Sequence, residues 1–162
     1  MKYRKDYQER HDIDWFALYE GKPIHVASNG GDIPANIDSK NNRQCQAFLA
    51  TLELKLKDEE IIINEDWLDE LDKRLFKENA NINNDKPIYH FDKEMYKQTF
   101  IEFAKLGFIS IDNAFTDDKY HYQVVAYPRK QENLFKGTNA NIPLKLTIVP
   151  SEEMANLNLD LW

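Results

Sequence analysis

His25 stands three residues before the run Ser28-Asn29-Gly30-Gly31-Asp32, with Asp12 and Asp14 a short distance upstream. Histidine changes charge most readily near neutral pH, which suits it to proton transfer or ligation. Two consecutive glycines let a chain turn so that successive N–H groups converge, a nest able to hold an anion. Together these residues make one candidate site. Ser28, Asn29, Gly30 and Gly31 would hold an anionic small molecule, His25 would act as acid or base, and Asp14 would orient the ring from across a hairpin. The plainer role for the same residues is a glycine-rich turn leaving a strand.

Other chemistry is sparser. His90 and His121, with Asp92 or Asp112, are residue types that bind divalent metals, but no ligand spacing links them and no metal site is assigned. Cys45 is the only cysteine, which excludes an intramolecular disulfide and a multi-cysteine zinc site. It falls on an apolar stripe beside Phe48 and Leu49, where a buried, inert thiol is expected. Phosphate-loop, dinucleotide-binding, zinc-protease and nucleophile-elbow motifs are all missing, so no cofactor is implied. Basic residues gather only at Arg129-Lys130 and within the first ten positions, and nucleic-acid binding is not expected.

Charge is more informative by position than in total. The chain of 162 residues has 21 Lys and Arg against 28 Asp and Glu, a formal net charge of −7. Residues 58–78 carry nine acidic and three basic groups, so nearly all the excess lies in this stretch. Asp66, Asp69, Glu70 and Asp72 there form a second candidate surface, one that would attract a protein with a basic face. A solvated helix face is the ordinary alternative.

The elements that must position these groups are read from periodicity. Asp14–Tyr19 and Ile24–Ala27 are β-rich runs around Gly21 and Pro23, and predict a hairpin. Asp38 or Ser39 caps a helix through Leu52, on the spacing of Cys45, Phe48, Leu49 and Leu52. Ile61–Ile63 reads as a strand or an extended entry. Asn64 then caps a helix whose stripe is Trp67, Leu68, Leu71, Leu75 and Phe76. Asp92 caps another, with Met95, Tyr96, Phe100 and Phe103 on its apolar side and Gly107 as its stop. Phe108–Ile111 predicts a strand, 112–118 a turn region, and Lys119–Tyr127 a further strand. Leu144, Leu146 and Ile148 alternate as another. Leu157, Leu159 and Leu161, leading to Trp162, read as a last strand or a homodimer contact. The fold class is therefore α+β, a mainly antiparallel sheet with about three helices packed on it. One domain spans 1–162, with 1–11 as an arm or short helical lead-in and the Asn-rich loop 79–86 between two lobes.

The composition, 42% apolar and 12% aromatic, excludes an intrinsically disordered chain. No apolar run approaches the length of a membrane span, and the first residues hold no signal-like apolar core, so a cytoplasmic protein is expected. Two function classes follow. The leading one is a non-catalytic protein-interaction or inhibitor-type module, immunity-like or anti-defence-like in composition. The alternative is a small enzyme or ligand-binding domain built on His25 and the Ser28–Asp32 loop.

Overall fold

A computed structural model describes residues 1–19, 21–35, 37–82, 90–116 and 119–134. The stretch read as an arm contains one helical turn, α1 (Lys5–Gln8). Its Gln8 is buried, donates to the Tyr3 carbonyl at 3.1 Å and accepts the Ile33 N–H at 2.6 Å. Gly21, at φ +74°, reverses the chain between two runs that pair as the expected antiparallel hairpin, β1 (Asp14–Tyr19) and β2 (Lys22–Ala27).

Capping residues act where their chemistry places them. The Asp38 carboxylate accepts from the Lys40 and Asn41 N–H groups and opens α2 (Ser39–Leu49). That helix ends before Leu52, and Phe48, on its expected apolar stripe, is 39% exposed. A strand, β3 (Ile61–Ile63), precedes α3 (Glu65–Ile82), whose Asn64 accepts the Trp67 N–H and donates to the Val124 carbonyl. Asp92 accepts the Met95 N–H and opens α4 (Lys93–Lys105). Gly107 closes it at φ +105°: its N–H bonds the Ala104 carbonyl and the Phe108 N–H bonds that of Phe103. These are the paired bonds of a Schellman stop. Two further strands follow, β4 (Ile109–Thr116) and β5 (Lys119–Pro128).

Among the described residues five strands form one sheet in the order β1-β2-β4-β5-β3. Three neighbouring pairs are antiparallel and β2–β4 is parallel, so the α+β fold has a mixed sheet, and four helices rather than three are seen among the described residues. The parallel pair follows from the long crossover through α2, β3, α3 and α4. Residues 112–116, expected in a turn, instead continue β4. Helix α3 also runs into the segment expected as a loop; 83–89 lie outside the described residues. So do 135–162, and with them the strand at Leu144–Ile148 and the tail at Leu157–Trp162.

Alternation along the strands sends side chains to two buried faces. One face collects Trp15, Ala17, Ile24, Val26, Ile109, Ile111, Tyr122 and Val124 under Ile33 and Ile37 of the loop after β2. Against the other lie α3 and α4, with Trp67, Leu68, Phe100 and Ala104 on Ala27, Val125 and Ala126, while Phe16 and Phe108 meet Cys45 and Leu49 of α2. The helix-covered face also carries the polar groups that matter below. Among the described residues no helix is long and apolar enough to cross a membrane.

A Cβ on Gly107 would meet no atom within 4 Å, so its φ of +105° alone sets the cost of a side chain there. Gly107→Ala is expected to lower stability by about 1–2 kcal/mol in urea unfolding. An unchanged midpoint would show that the stop does not depend on glycine.

Candidate functional site

Two adjacent rows of side chains cross the helix-covered face. Strand pairing aligns Phe16 with His25 and His25 with Ser110 in one row, and Asp14 with Ala27 and Ala27 with Asp112 in the next. In the first row His25 is fully buried, its ring stacked on Phe103 of α4 at 3.8 Å between centroids. A buried imidazole needs partners for both nitrogens. Nε2 meets Asp14 Oδ1 at 2.8 Å and Nδ1 meets the Ser110 hydroxyl at 2.7 Å. Since an ionised carboxylate can only accept, the Nε2 proton is directed at Asp14.

Asp14 is thereby fixed from two sides. Its backbone carbonyl accepts from Asn42 and Gln46 of α2, both at 2.8 Å, while its side chain remains 35% exposed. Serine, histidine and aspartate in hydrogen-bonded series resemble a nucleophilic triad in composition only. Ser110 and His25 have no exposed surface, so the series ends inside the protein and presents a carboxylate, not a hydroxyl, to solvent.

The second row opens into a cleft of about 470 Å³ between the β1–β2 end of the sheet, α3 and α4. Asp12, Asp14 and Asp112 line it with Phe91, Tyr96, Phe100, Leu71 and Leu75, and no Lys or Arg is among the described lining residues. Asp112 is only 6% exposed and accepts the Tyr96 hydroxyl at 2.6 Å; the Tyr96 oxygen in turn accepts the Trp67 indole N–H at 3.2 Å. Burial pushes the Asp112 carboxyl up to about 6, the charge of Asp12 adds to this, and the Tyr96 hydrogen bond opposes it. Burial and Asp112 together hold the Tyr96 hydroxyl far above its ordinary range, so it remains a donor.

The Ser28–Asp32 loop borders the same cleft through Asn29. Asn29 and Gly30 turn through φ +48° and +73°, and Gly31 N–H bonds the Ser28 carbonyl at 2.7 Å. The Asn29 N–H donates to the Asp12 carboxylate at 2.7 Å, and the buried Ser28 hydroxyl accepts the Ile13 N–H at 2.8 Å. An anionic ligand at Asn29 would have to displace Asp12.

Elsewhere, charges on α3 are partly matched within the chain. Lys93 pairs with Asp69 at 2.7 Å and Asp72 at 3.7 Å, and Arg74 pairs with Glu70 at 2.8 Å. Hydrogen bonds from Lys93 and Arg74 hold the Asp69 and Glu70 carboxyls below their usual range. Asp66 is exposed in the first turn of α3. Burial pushes the Cys45 thiol up to about 11, as expected of an inert cysteine. His90 is exposed, the side chain of His121 lies outside the described residues, and no metal-binding cluster occurs among the described residues.

The pairing of His25 with Asp14 was legible from sequence; Ser110, Tyr96, Phe100 and the role of Asp112 were not. No family model, no curated protein and no solved structure matches the chain.

The raised carboxyl of Asp112 has a signed consequence for stability. Its folded pKa, about 6, exceeds the ordinary value of 3.8, so the native state holds the extra proton between them and stability falls as pH rises through that window. Asp112→Asn is therefore expected to stabilise the fold at pH 7.5 by on the order of 1–3 kcal/mol, with the gain shrinking as pH falls toward 4. Urea unfolding across that range measures it; a loss of stability independent of pH would contradict the assignment. His25→Ala opens a cavity and strips a partner from Ser110 and Asp14. It should cost about 3 kcal/mol or more by the same measurement.

Proposed function

We infer that the protein is a non-catalytic binding module, inhibitor-like in kind, whose partner is a protein with a basic surface, and that a cationic side chain of that partner enters the cleft. The observation that carries this reading is the Asp14–Ala27–Asp112 row: two carboxylates held by separate internal donors, with Asp12 beside them, in a cleft without a described basic side chain. Phe91, Tyr96 and Phe100 supply the apolar and aromatic wall on which a guanidinium or ammonium group can rest. A bound cation would also relieve the burial cost of the Asp112 carboxylate.

The acidic face of α3 extends the same surface, because Leu71 and Leu75 line the cleft on the helix that carries Asp66, Asp69, Glu70 and Asp72. Carboxylates already paired with Lys93 or Arg74 are partly neutralised, so they add less to long-range attraction than isolated charges would. A binding role is favoured over a catalytic one by the enclosure of His25 and Ser110, which places both out of reach of a substrate. An anionic small molecule at the Ser28–Asp32 loop is disfavoured by the Asp12 carboxylate on the Asn29 N–H.

Agmatine and a short arginine-rich peptide are suitable probes. Both should raise the melting temperature of the wild-type protein at pH 7.5, and Asp14→Asn should abolish the shift. Inorganic phosphate should not reproduce it in this cleft. Equal shifts in wild type and Asp14→Asn, or no shift with either cation, would contradict the reading.

A further inference from the structure

Against the start of α2 lies a second pocket of opposite charge, about 290 Å³ in volume, formed by the first eleven residues with Ser39 and Arg43. Lys2, Arg4, Arg10 and Arg43 line it, and its single described carboxylate, Asp6, is engaged by Arg4 through contacts of 3.1 and 2.7 Å. Among the described residues Lys2 and Arg10 have no carboxylate partner, and Arg43 uses only Nε, donating to the Ser39 carbonyl at 3.2 Å. Three cationic groups therefore face one small pocket in a chain whose net charge is −7.

Planar rings share that pocket. Tyr3, Tyr7 and His11 recur every fourth residue and align nearly parallel, with interplanar angles of 12° and 17° and Tyr7–His11 centroids 4.0 Å apart. The base of this ladder is pinned: the Tyr3 hydroxyl accepts from Asn42 at 2.9 Å, and His11 Nδ1 lies 2.8 Å from the Tyr7 carbonyl. Tyr7 lies between the other two rings, but it is 45% exposed and His11 at the end of the ladder is exposed as well, so a planar ligand can reach the ladder's outer end. Arginine matches phosphate oxygens with a two-pronged donor set, and an aromatic ladder offers a stacking surface for a planar base. A pocket near 300 Å³ is at the small end of ligand sites and suits a single nucleotide rather than a polymer.

We propose that the pocket between the N-terminal segment and α2 binds a free mononucleotide, its phosphates on Arg43, Arg10 and Lys2 and its base against the Tyr7–His11 stack. This site is independent of the acidic cleft and does not rest on the cleft's reading.

Isothermal titration of the full chain with ADP, adenosine and inorganic phosphate, at fixed moderate salt, tests it. ADP should bind saturably and at least about tenfold tighter than either fragment. Arg43→Glu and Tyr7→Ala, both changes at exposed positions, should each weaken ADP by about tenfold or more, whereas Asp112→Asn should leave it unchanged. Circular dichroism and unchanged melting would establish that the two pocket variants are folded. Phosphate binding as tightly as ADP would overturn the proposal in favour of a plain basic patch. Non-saturating ADP, or full ADP affinity in folded Arg43→Glu and Tyr7→Ala proteins, would overturn it outright.

Discussion

Burial of hydrogen-bonding groups on the helix-covered face is the constraint from which the rest of this structure follows. His25 has no exposed surface, so each ring nitrogen must find a partner inside the protein. It finds one on each neighbouring strand, Asp14 of β1 and Ser110 of β4. The same two bonds tie the hairpin to the parallel β2–β4 pair and set the direction in which Asp14 faces. Phe103 closes over the ring, which couples α4 to this polar knot. A slip of one residue in any of these strands would send the group to the opposite face.

One row further along, the same face reaches the cleft, and the balance changes. Asp112 is almost as enclosed as His25, and although the Tyr96 hydroxyl and the Asn113 backbone N–H donate to it, burial outweighs them and raises its carboxyl to about 6. Tyr96 is itself backed by Trp67, so residues on α3, α4 and β4 hold one acidic oxygen in place. A fold selected for stability alone would replace such a group with an apolar one. On the proposed reading, a positive group in the cleft offsets the burial cost of Asp112 beside Asp14 and Asp12. The basic pocket at the start of α2 gives the molecule a second recess of opposite charge, so the net charge alone says little about the local fields.

Much of the frame could be read from local chemistry. The Gly21 reversal, the Asp38, Asn64 and Asp92 caps and the Gly107 stop all lie where their residue types predict, because capping depends on atoms within a few residues. The hidden parts depend on partners distant in sequence. Asp112 and Asn113 have turn chemistry, yet they continue β4 because Tyr96 supplies a donor to one and Ser28 an acceptor to the other. Helical periodicity likewise placed Phe48, Phe76 and Met95 on apolar stripes, but all three are exposed, since a stripe can be wider than the surface it packs on. The pairing of Asp14 with His25 was within reach because a hairpin makes them near neighbours. The cleft required the crossover that brings β4 beside β2.

On the proposed reading, the buried Asp112 carboxyl is the group whose proton equilibrium a cationic ligand in the cleft would shift. Carbon-detected NMR of the Asp112 side-chain carboxyl, followed against pH with and without a saturating arginine-rich peptide, tests it most directly. The expected result is a midpoint near 6 in the free protein and a marked fall when the peptide is bound. A midpoint in the ordinary carboxylate range, or one that does not move with the peptide, would contradict it.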